Sequence, residues 1–546
     1  MSIKTIKTEA YEDQAIASTG LRRRVEQFKR KAYLENIIQS VFDIHTLLSG
    51  NTIVIGGDGR FFNKQAIQTV LKMAAANGVA RAIVGQHGLL STPAASYIIR
   101  KYGAAGGFIL TAGCNPGGKK GDFGIKLNLK CGGPSDDVLN EEIFQHSRTL
   151  KEYKIDKSSD VKLEKLGIYP LGTMQVEVID PVMDYADLMQ SIFDFPMLKQ
   201  AFADGKIKLV ADLINGVGGI YVEEIFIRRL GTPLDSFENL ESKDTFSGKT
   251  ISLTPDDLTH LVNKVVDTTP YHLLAVVDPD ADRCLMFSDK CLLSSGDNLA
   301  LLTQYSHLLK PYRDGLIGVA RSYTTSQAVD GVAKSLKIPC YETPNGWQFF
   351  ARLLESNLVN ICGEAASAVG ADHNREKDAI WSILFWLTMM AKTEKSMEQL
   401  LHELWNEHGR YYQGKLEYND LTIGSAQSLM VSLRERLQKL VDVSFGPHEV
   451  RRAEDLVYHD PHSDKVLGQF GVRIWFKDHS KATFQLSNQQ IGRMSLRIYC
   501  ERYFKDADKH HFSGEKIFRS LFVAAQEIAE IDQRLKNIEP EIFFTN

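Results

Sequence analysis

Short apolar runs alternate with amphipathic stretches through the first half of the chain. Thr52 to Gly56 is a β-branched run, which is typical of a buried parallel strand. Residues 64–75 have helical spacing, and residues 80–84 are apolar again. Strand, helix and strand in this order predict a βαβ unit, and therefore a doubly wound α/β layer.

The same analysis predicts further elements along the chain. Strands are predicted at residues 208–212 and 272–277, and an apolar helix at residues 379–391. Near the C-terminus, two alternating runs at 472–476 and 482–486 flank a polar turn, and a strand at 496–500 and a helix at about 513–536 follow. This last region is typical of an α+β unit.

Three stretches near the N-terminus carry weaker patterns. Residues 1–10 are polar, and we expect them to be loosely held. A helical pattern runs from about Arg24 to Leu48, and the Lys-, Asp- and Ser-rich residues 149–162 predict an exposed excursion from the first layer.

Composition limits the class of protein. The chain has 546 residues, enough for three or four domains at roughly 150 residues each. A charged fraction of 24% and a net charge of −4 do not favour a nucleic-acid or membrane-surface partner. Seven scattered cysteines without a CxxC pair fit a reducing compartment. No signal peptide and no apolar run near the ~20 residues of a bilayer span are present, so we expect a cytoplasmic protein without a transmembrane segment.

Three aspartates form the clearest candidate for a metal site. Asp278, Asp280 and Asp282 follow the predicted strand at 272–277, and on an extended segment this spacing places three carboxylates on one side. Hard oxygen donors suit Mg²⁺. The alternative is an acidic turn satisfied by Arg283 and water, and both interpretations stay open.

A second candidate loop, Thr111 to Gly118, follows the apolar run at 107–110. It resembles the phosphoserine loop of the α-D-phosphohexomutases, above all the phosphoglucomutase, parafusin and aciculin group. That family has Thr-Ala-Ser-His-Asn-Pro-Gly-Gly, whereas this chain has Gly113 at the position of the phosphorylated Ser and Cys114 at the position of the His. The runs 85–94, 180–185 and 278–283 also resemble the family.

The resemblance covers nearly the whole chain and implies a four-domain phosphohexomutase fold. Three domains would be mixed-sheet α/β units and the C-terminal domain α+β, with all four contributing loops to a central cleft. The implied domains are residues 1–187, 188–292, 293–404 and 405–546.

The resemblance also supplies residues for residual sugar-phosphate binding. The retained or aligned positions are Arg22, Lys126, Arg283, Asn345, Glu364, His373, Lys377 and Arg497. Residues 372–378 could equally form a structural ion-pair network.

Several departures affect this cleft. Asn345 stands at a family Thr, Ala366 at a sugar-binding Ser, and Gln485 at a family Arg. The phosphate-gripping loop, Ser-Gly-Thr-Gly-Ser in the family, is Ser487 to Ile491 here and has no glycine. In the metal loop, Pro279 and Ala281 replace two glycines, and no phosphoserine oxygen is available, so retained Mg²⁺ and an ion-free turn remain alternatives. We expect no organic cofactor.

Together these departures predict a catalytically inactive relative that acts as a binding, scaffold or structural component. Its partners would be proteins of a cytoskeletal, membrane-associated or other large assembly, with weak phosphosugar binding retained and a cytoplasmic, cytoskeleton-associated location. The alternative is an enzyme of the family, interconverting glucose 1-phosphate and glucose 6-phosphate, with an altered nucleophile such as Cys114.

Overall fold

A computed structural model gives the fold. It describes residues 3–248, 261–263, 271–365, 367–461, 463, 465–490, 493–535 and 538–545.

The first domain is built on a seven-stranded mixed sheet. Its four central strands are parallel, as the βαβ pattern predicts, and its outer strands are antiparallel. In order across the sheet the strands are Leu21–Arg24, Asp122–Leu129, Gly106–Leu110, Thr52–Gly57, Arg81–Leu89, Met174–Ile179 and Gly167–Leu171. The helices are Val25–Phe28, Tyr33–Ile44, Asn63–Ala76, Thr92–Lys101 and Asp137–Ser147, with a 3₁₀ turn at Thr46–Leu48.

Two N-terminal predictions are wrong. Residues expected to be loose form the strand Ile3–Lys7, which pairs antiparallel with Glu152–Asp156 inside the predicted exposed excursion. Burial of Tyr153 and Ile155 against the first core explains why this polar stretch is ordered. The helical pattern predicted from about Arg24 to Leu48 is confirmed, although it is divided into the helices Val25–Phe28 and Tyr33–Ile44 and the 3₁₀ turn Thr46–Leu48.

The second and third domains repeat the mixed-sheet plan with four strands each. The second sheet has the order Phe237–Glu238, Lys208–Asp212, His272–Val277 and Cys284–Phe287. The third has the order Cys340–Thr343, Val319–Ser322, Ile361–Glu364 and Ala368–Ala371. In both, the last strand is antiparallel to its neighbour.

Helices cover the two middle sheets. Those of the second domain are Met183–Ile192, Phe195–Ala203, Gly218–Val222 and a π-helical segment Glu223–Arg229, with 3₁₀ turns at Leu234–Ser236 and Phe246–Gly248. Those of the third are Ser295–Gln304, Ala328–Leu336, Trp347–Glu355, Ala379–Thr393 and Met397–His408, with 3₁₀ turns at Ser306–Leu308 and Lys310–Tyr312.

The C-terminal domain is an antiparallel sheet backed by helices. Its strand order is Ser444–Phe445, His448–His459, Val466–Phe476, Lys481–Gln490, Arg493–Phe504, Arg410–Thr422 and Glu541–Thr545. The helices are Ile423–Leu440, Gly514–Ile528 and Ile531–Arg534, with a 3₁₀ turn at Ala507–Lys509. The predicted four-domain fold, three mixed α/β units and one α+β unit, is confirmed.

The cores are distributed unevenly among the domains. One contiguous apolar cluster runs through the first three domains, and the helix Ala379–Thr393, buried from Ala379 to Met390, lies within it. The C-terminal domain has its own cluster. Asp378 caps this central helix by accepting the amide of Trp381 (3.0 Å), which fixes the loop before the helix at the acidic triplet.

Candidate active site

The acidic triplet lies where the strand His272–Val277 ends. The three carboxylates are buried and each offers an oxygen within 4.8 Å of the others. The segment is not extended as predicted, because it turns back on itself. The Ala281 amide donates to the Asp278 carbonyl (3.0 Å), and Ala281 adopts a φ of 58°, a left-handed conformation that costs alanine more than glycine. The predicted grouping of the carboxylates nevertheless holds.

Electrostatics at the triplet favour a cation. Burial raises the pKa of Asp278 and Asp280 above their usual range, and each is raised further by its acidic neighbours. Burial alone would raise the pKa of Asp282 too, but Lys377 and Arg283 lower it to about 2. Asp280 Oδ2 accepts the Thr92 hydroxyl (2.7 Å), whereas Oδ1 is buried without a hydrogen-bond partner among the described residues. An orphaned carboxylate oxygen beside two other carboxylates fits a hard divalent ion such as Mg²⁺.

The loop that follows the strand Gly106–Leu110 is held rigidly. The Thr111 hydroxyl donates to Asp58 Oδ2 (2.7 Å) and accepts the Gly113 amide (2.9 Å). Arg60 is fully buried, pairs with Asp58 (2.8 Å), and donates to the Gly113 carbonyl (2.9 Å). Neither Asp58 nor Arg60 was among the candidate residues predicted from the sequence, although two opposite charges directly after a buried strand were a usable signal.

Arg22 fills the space that a side chain at position 113 would need. A Cβ built on Gly113 would lie 3.0 Å from Arg22 Nη1 and 3.2 Å from Nη2. Arg22 Nε donates to the Thr19 carbonyl (3.0 Å), which anchors the guanidinium there. Gly113 has a φ of 55°, so glycine is favoured on both steric and backbone grounds.

Cys114 lies at the edge of the acidic triplet. Its Sγ is 3.5 Å from Asp278 Oδ2, a hydrogen-bonding distance for sulfur. Burial raises the pKa of the thiol, and Asp278 raises it further, while Arg283 opposes the rise. Burial would lower the pKa of Arg283, but Asp282, Cys114 and Glu364 raise it. Among the predicted residues, the structure therefore places Cys114, Arg283 and Glu364 in one electrostatic group with the triplet.

Two lysines, Lys377 and Lys126, lower the pKa of Asp282 electrostatically. Lys377 Nζ lies 3.1 Å from Asp282 Oδ2, and Lys126 hydrogen-bonds to the fully buried Glu376. Asn128 also donates to Glu376 (2.9 Å). Burial raises the pKa of Glu376, with Lys126 opposing the rise. Glu376 is a partner that sequence reasoning did not assign, since 250 residues separate it from Lys126.

His373 belongs to a structural network. Its Nε2 contacts Asp378 Oδ2 (2.8 Å), its ring stacks on Trp381, and Asp378 also accepts the Tyr185 hydroxyl (2.5 Å). These contacts hold His373 in a network around Asp378, whereas Lys377 of the same segment pairs with Asp282 of the triplet.

The residues predicted to contact the sugar and the phosphate lie where the third and fourth domains meet. Glu364 accepts the Gly346 amide (3.3 Å) at the end of its strand, and Asn345 donates to Gln485 (3.0 Å) across the domain boundary. Arg497 is paired with Glu417 (2.7 Å). Of the predicted departures, Ala366 and Ile491 lie outside the described residues.

Comparison with known proteins identifies the family. Family models match residues 13–154, 183–291 and 295–408 as phosphoglucomutase/phosphomannomutase α/β/α domains I, II and III, and residues 410–541 as the C-terminal domain of phosphoglucomutase-1. The chain belongs to the phosphoglucomutase family. The predicted domain boundaries remain a prediction.

Relatives of this phosphoglucomutase-family chain match it from end to end. A phosphoglucomutase of Rhizobium radiobacter is 39% identical, with 99% of each chain covered. Human phosphoglucomutase-1 is 35% identical, with 99% of this chain and 100% of that protein covered. Among solved structures, the pp63/parafusin phosphoglucomutase of Paramecium, in an open form, is 33% identical over 99% of each chain, with a TM-score of 0.89.

These matches overturn one prediction. The expectation of a catalytically inactive binding or scaffold protein is wrong, because the full-length relatives are named as phosphoglucomutases, and the alternative of a family enzyme with an altered nucleophile fits better. The error came from counting lost side chains loop by loop, while the acidic triplet and the cations around it persist as a group. The predicted protein partners and cytoskeletal association remain predictions. In the described part of the chain, no helix is both long and apolar enough to cross a bilayer.

Proposed function

We propose that this protein is an enzyme that interconverts glucose 1-phosphate and glucose 6-phosphate, with Cys114 taking the place of the family's nucleophilic serine. The observation that carries the proposal is the position of Cys114 Sγ, 3.5 Å from Asp278 Oδ2 at the edge of the acidic triplet. A nucleophile beside a site that can hold Mg²⁺ is the arrangement that phosphoryl transfer needs.

In the proposed reaction, Cys114 carries the phosphoryl group and Asp278 carries the proton. The Cys114 thiol gives up its proton along its hydrogen bond to Asp278, and the sulfur attacks phosphorus. An S–P bond forms while the P–O bond to the sugar breaks, and the leaving sugar oxygen takes up the proton that Asp278 received from the thiol. In the second half-reaction, a different hydroxyl of the sugar attacks the phosphorus and the S–P bond breaks. The proton of that hydroxyl passes through Asp278 to the leaving thiolate, which restores the Cys114 thiol. The exchange is balanced over the two halves.

Cations of the cleft would hold the phosphate charges. Arg22 occupies the space beside Gly113, and Arg283 and Lys377 flank Asp282. Guanidinium and ammonium groups in these positions favour the transferred dianion over a neutral ligand. Asp278, Asp280 and Asp282 would hold Mg²⁺, and a bound Mg²⁺ ion would supply the positive charge that offsets the phosphate oxygens.

We also infer a cytoplasmic location. All seven cysteines are free in the structure, which agrees with a reducing compartment.

The test is a coupled phosphoglucomutase assay with glucose 1-phosphate, Mg²⁺ and a glucose 1,6-bisphosphate primer. The native protein is compared with Cys114→Ala and with Cys340→Ala, a control that removes another half-buried thiol. We expect turnover in the native protein and the control, and its loss in Cys114→Ala, together with phosphate on Cys114 by mass spectrometry.

The other outcomes are equally informative. Full turnover in Cys114→Ala would overturn the role of the thiol while leaving the reaction. No turnover in the native protein, with turnover gained in the Gly113→Ser, Cys114→His double variant, would overturn the proposed activity of the natural sequence and show that the rest of the cleft is competent.

A further inference from the structure

One short helix, Trp347–Glu355, contacts both the first and the fourth domains through a single side chain. Arg352 Nη2 lies 2.8 Å from Asp136 Oδ2 of the first domain, and Nη1 lies 3.1 Å from Asp460 Oδ2 of the fourth. The planar fork of an arginine can serve two carboxylates at once, which a lysine cannot. Arg352 therefore links three domains.

The same face of the helix holds a hairpin of the C-terminal domain. Phe349, one turn before Arg352, packs edge-on against Tyr458 (ring centroids 5.1 Å apart) and Phe470 (5.6 Å apart). These two rings come from the strands His448–His459 and Val466–Phe476. Aromatic packing and an ion pair thus hold one edge of the C-terminal domain against this helix.

The N-terminal end of the helix begins at the cleft. Asn345 accepts the Thr324 hydroxyl (3.0 Å) and donates to Gln485 of the C-terminal domain (3.0 Å), and the next residue, Gly346, donates to Glu364. Arg352 lies five residues beyond the first residue of the helix, Trp347, which corresponds to about 8 Å along the helix axis. The interdomain joint and the cleft contact are therefore rigidly connected.

We propose that Arg352 is a positioning residue for the cleft: by holding Asp460 against the helix, it keeps Gln485 in contact with Asn345 beside Glu364. This inference deepens the proposed function, on which its kinetic consequence rests. Its conformational consequence does not depend on any activity.

Other contacts limit the expected effect. Arg473 of the C-terminal domain donates to Glu342 of the third domain through both terminal nitrogens (2.9 and 2.8 Å), so the two domains stay associated without Arg352. Loss of Arg352 should shift a domain equilibrium rather than release the domain. The ion pair joins an arginine that is 36% exposed to a buried aspartate, and with the other contacts retained the open population should rise by up to about fivefold.

The test is small-angle scattering and limited proteolysis of the full chain. Cleavage is followed at the joint between the helix Met397–His408 and the strand Arg410–Thr422. The variants are Arg352→Ala and Asp460→Lys, the second of which places like charges together. The matched control is Arg100→Ala, because Arg100 has similar exposure (30% against 36%) and bridges the first and third domains through Glu355 without touching the fourth.

We expect a larger radius of gyration and up to about fivefold faster cleavage in both variants, no change in Arg100→Ala, and partial rescue in Arg352→Lys. Scattering and cleavage identical to the native protein in both variants would overturn the inference. In the coupled assay, the KM for glucose 1-phosphate should rise more than kcat falls. If the native protein has no turnover, the proposed function fails while the scattering result still decides the role of Arg352.

Discussion

Gly113→Ser tests whether the shape of the loop, and not only its chemistry, requires glycine. The φ of 55° is in the left-handed region, where a side chain costs roughly 1–2 kcal/mol. The new Cβ would also lie 3.0 Å from Arg22 Nη1, closer than ordinary contact, so the guanidinium must move and strain its bond to Thr19. Weakening that bond adds about 1 kcal/mol. The total loss of stability should therefore be about 2–3 kcal/mol.

The matched control is Gly103→Ser. Gly103 has nearly the same φ, 61°, but no atom lies within 4 Å of its built Cβ, so only the backbone cost applies. Thermal unfolding of native protein, Gly103→Ser and Gly113→Ser should show the larger fall in Tm at position 113. The excess should disappear when Gly113→Ser is measured in an Arg22→Ala background. An equal fall at the two glycines would refute the conclusion that Arg22 occupies the side-chain space.

Three further predictions concern buried acids. Burial alone would raise the pKa of Glu342, but Arg321 of the neighbouring strand and Arg473 of the C-terminal domain lower it to about 2 from an ordinary 4.5. About 3 kcal/mol of stability, present above pH 4.5, should therefore be lost as the pH falls toward 2. Denaturant titrations should show this loss in the native protein and a flatter profile in Glu342→Gln. Asp378→Ala should lower the free energy of unfolding by about 3–5 kcal/mol, because four buried donors lose the same acceptor. The control Ser294→Ala removes an ordinary helix cap and should cost about 1 kcal/mol. Equal losses of stability in the two variants would contradict this prediction. Asp280→Asn should raise Tm in EDTA, because it relieves repulsion among the three carboxylates. In the native protein Mg²⁺ should raise stability by about 2.7 kcal/mol at 100 times Kd, and the variant should lose this rise. An unchanged response to Mg²⁺ in the variant would exclude the triplet as the Mg²⁺ site.

Features that depend on near neighbours in sequence could be predicted. The strand Thr52–Gly57, the helix Ala379–Thr393 and the clustering of the three aspartates all follow from local hydrophobicity and spacing. The loop Thr111 to Gly118 and the acidic triplet both follow strands, and the structure brings them together at Cys114 and Asp278.

Features that depend on partners distant in the sequence could not be predicted. The strand Ile3–Lys7 is ordered by pairing with a segment about 150 residues away, and Glu376 reaches Lys126 across 250 residues. Asn345 and Gln485, noted separately as departures from the family, are bonded to each other across 140 residues. Each substitution taken alone suggested a lost contact, but Asn345 and Gln485, both changed relative to the family, are hydrogen-bond partners of each other.

The division of the apolar cores has a consequence for how the chain acquires its structure. Since one cluster includes residues from Val54 to Trp405, the first three domains bury surface that none of them could bury alone, and they should fold as one cooperative unit. The C-terminal domain, with its own cluster between Tyr412 and Leu535, is a separate cooperative unit joined at Gly409. During synthesis the larger unit can therefore complete its folding before the smaller one has left the ribosome.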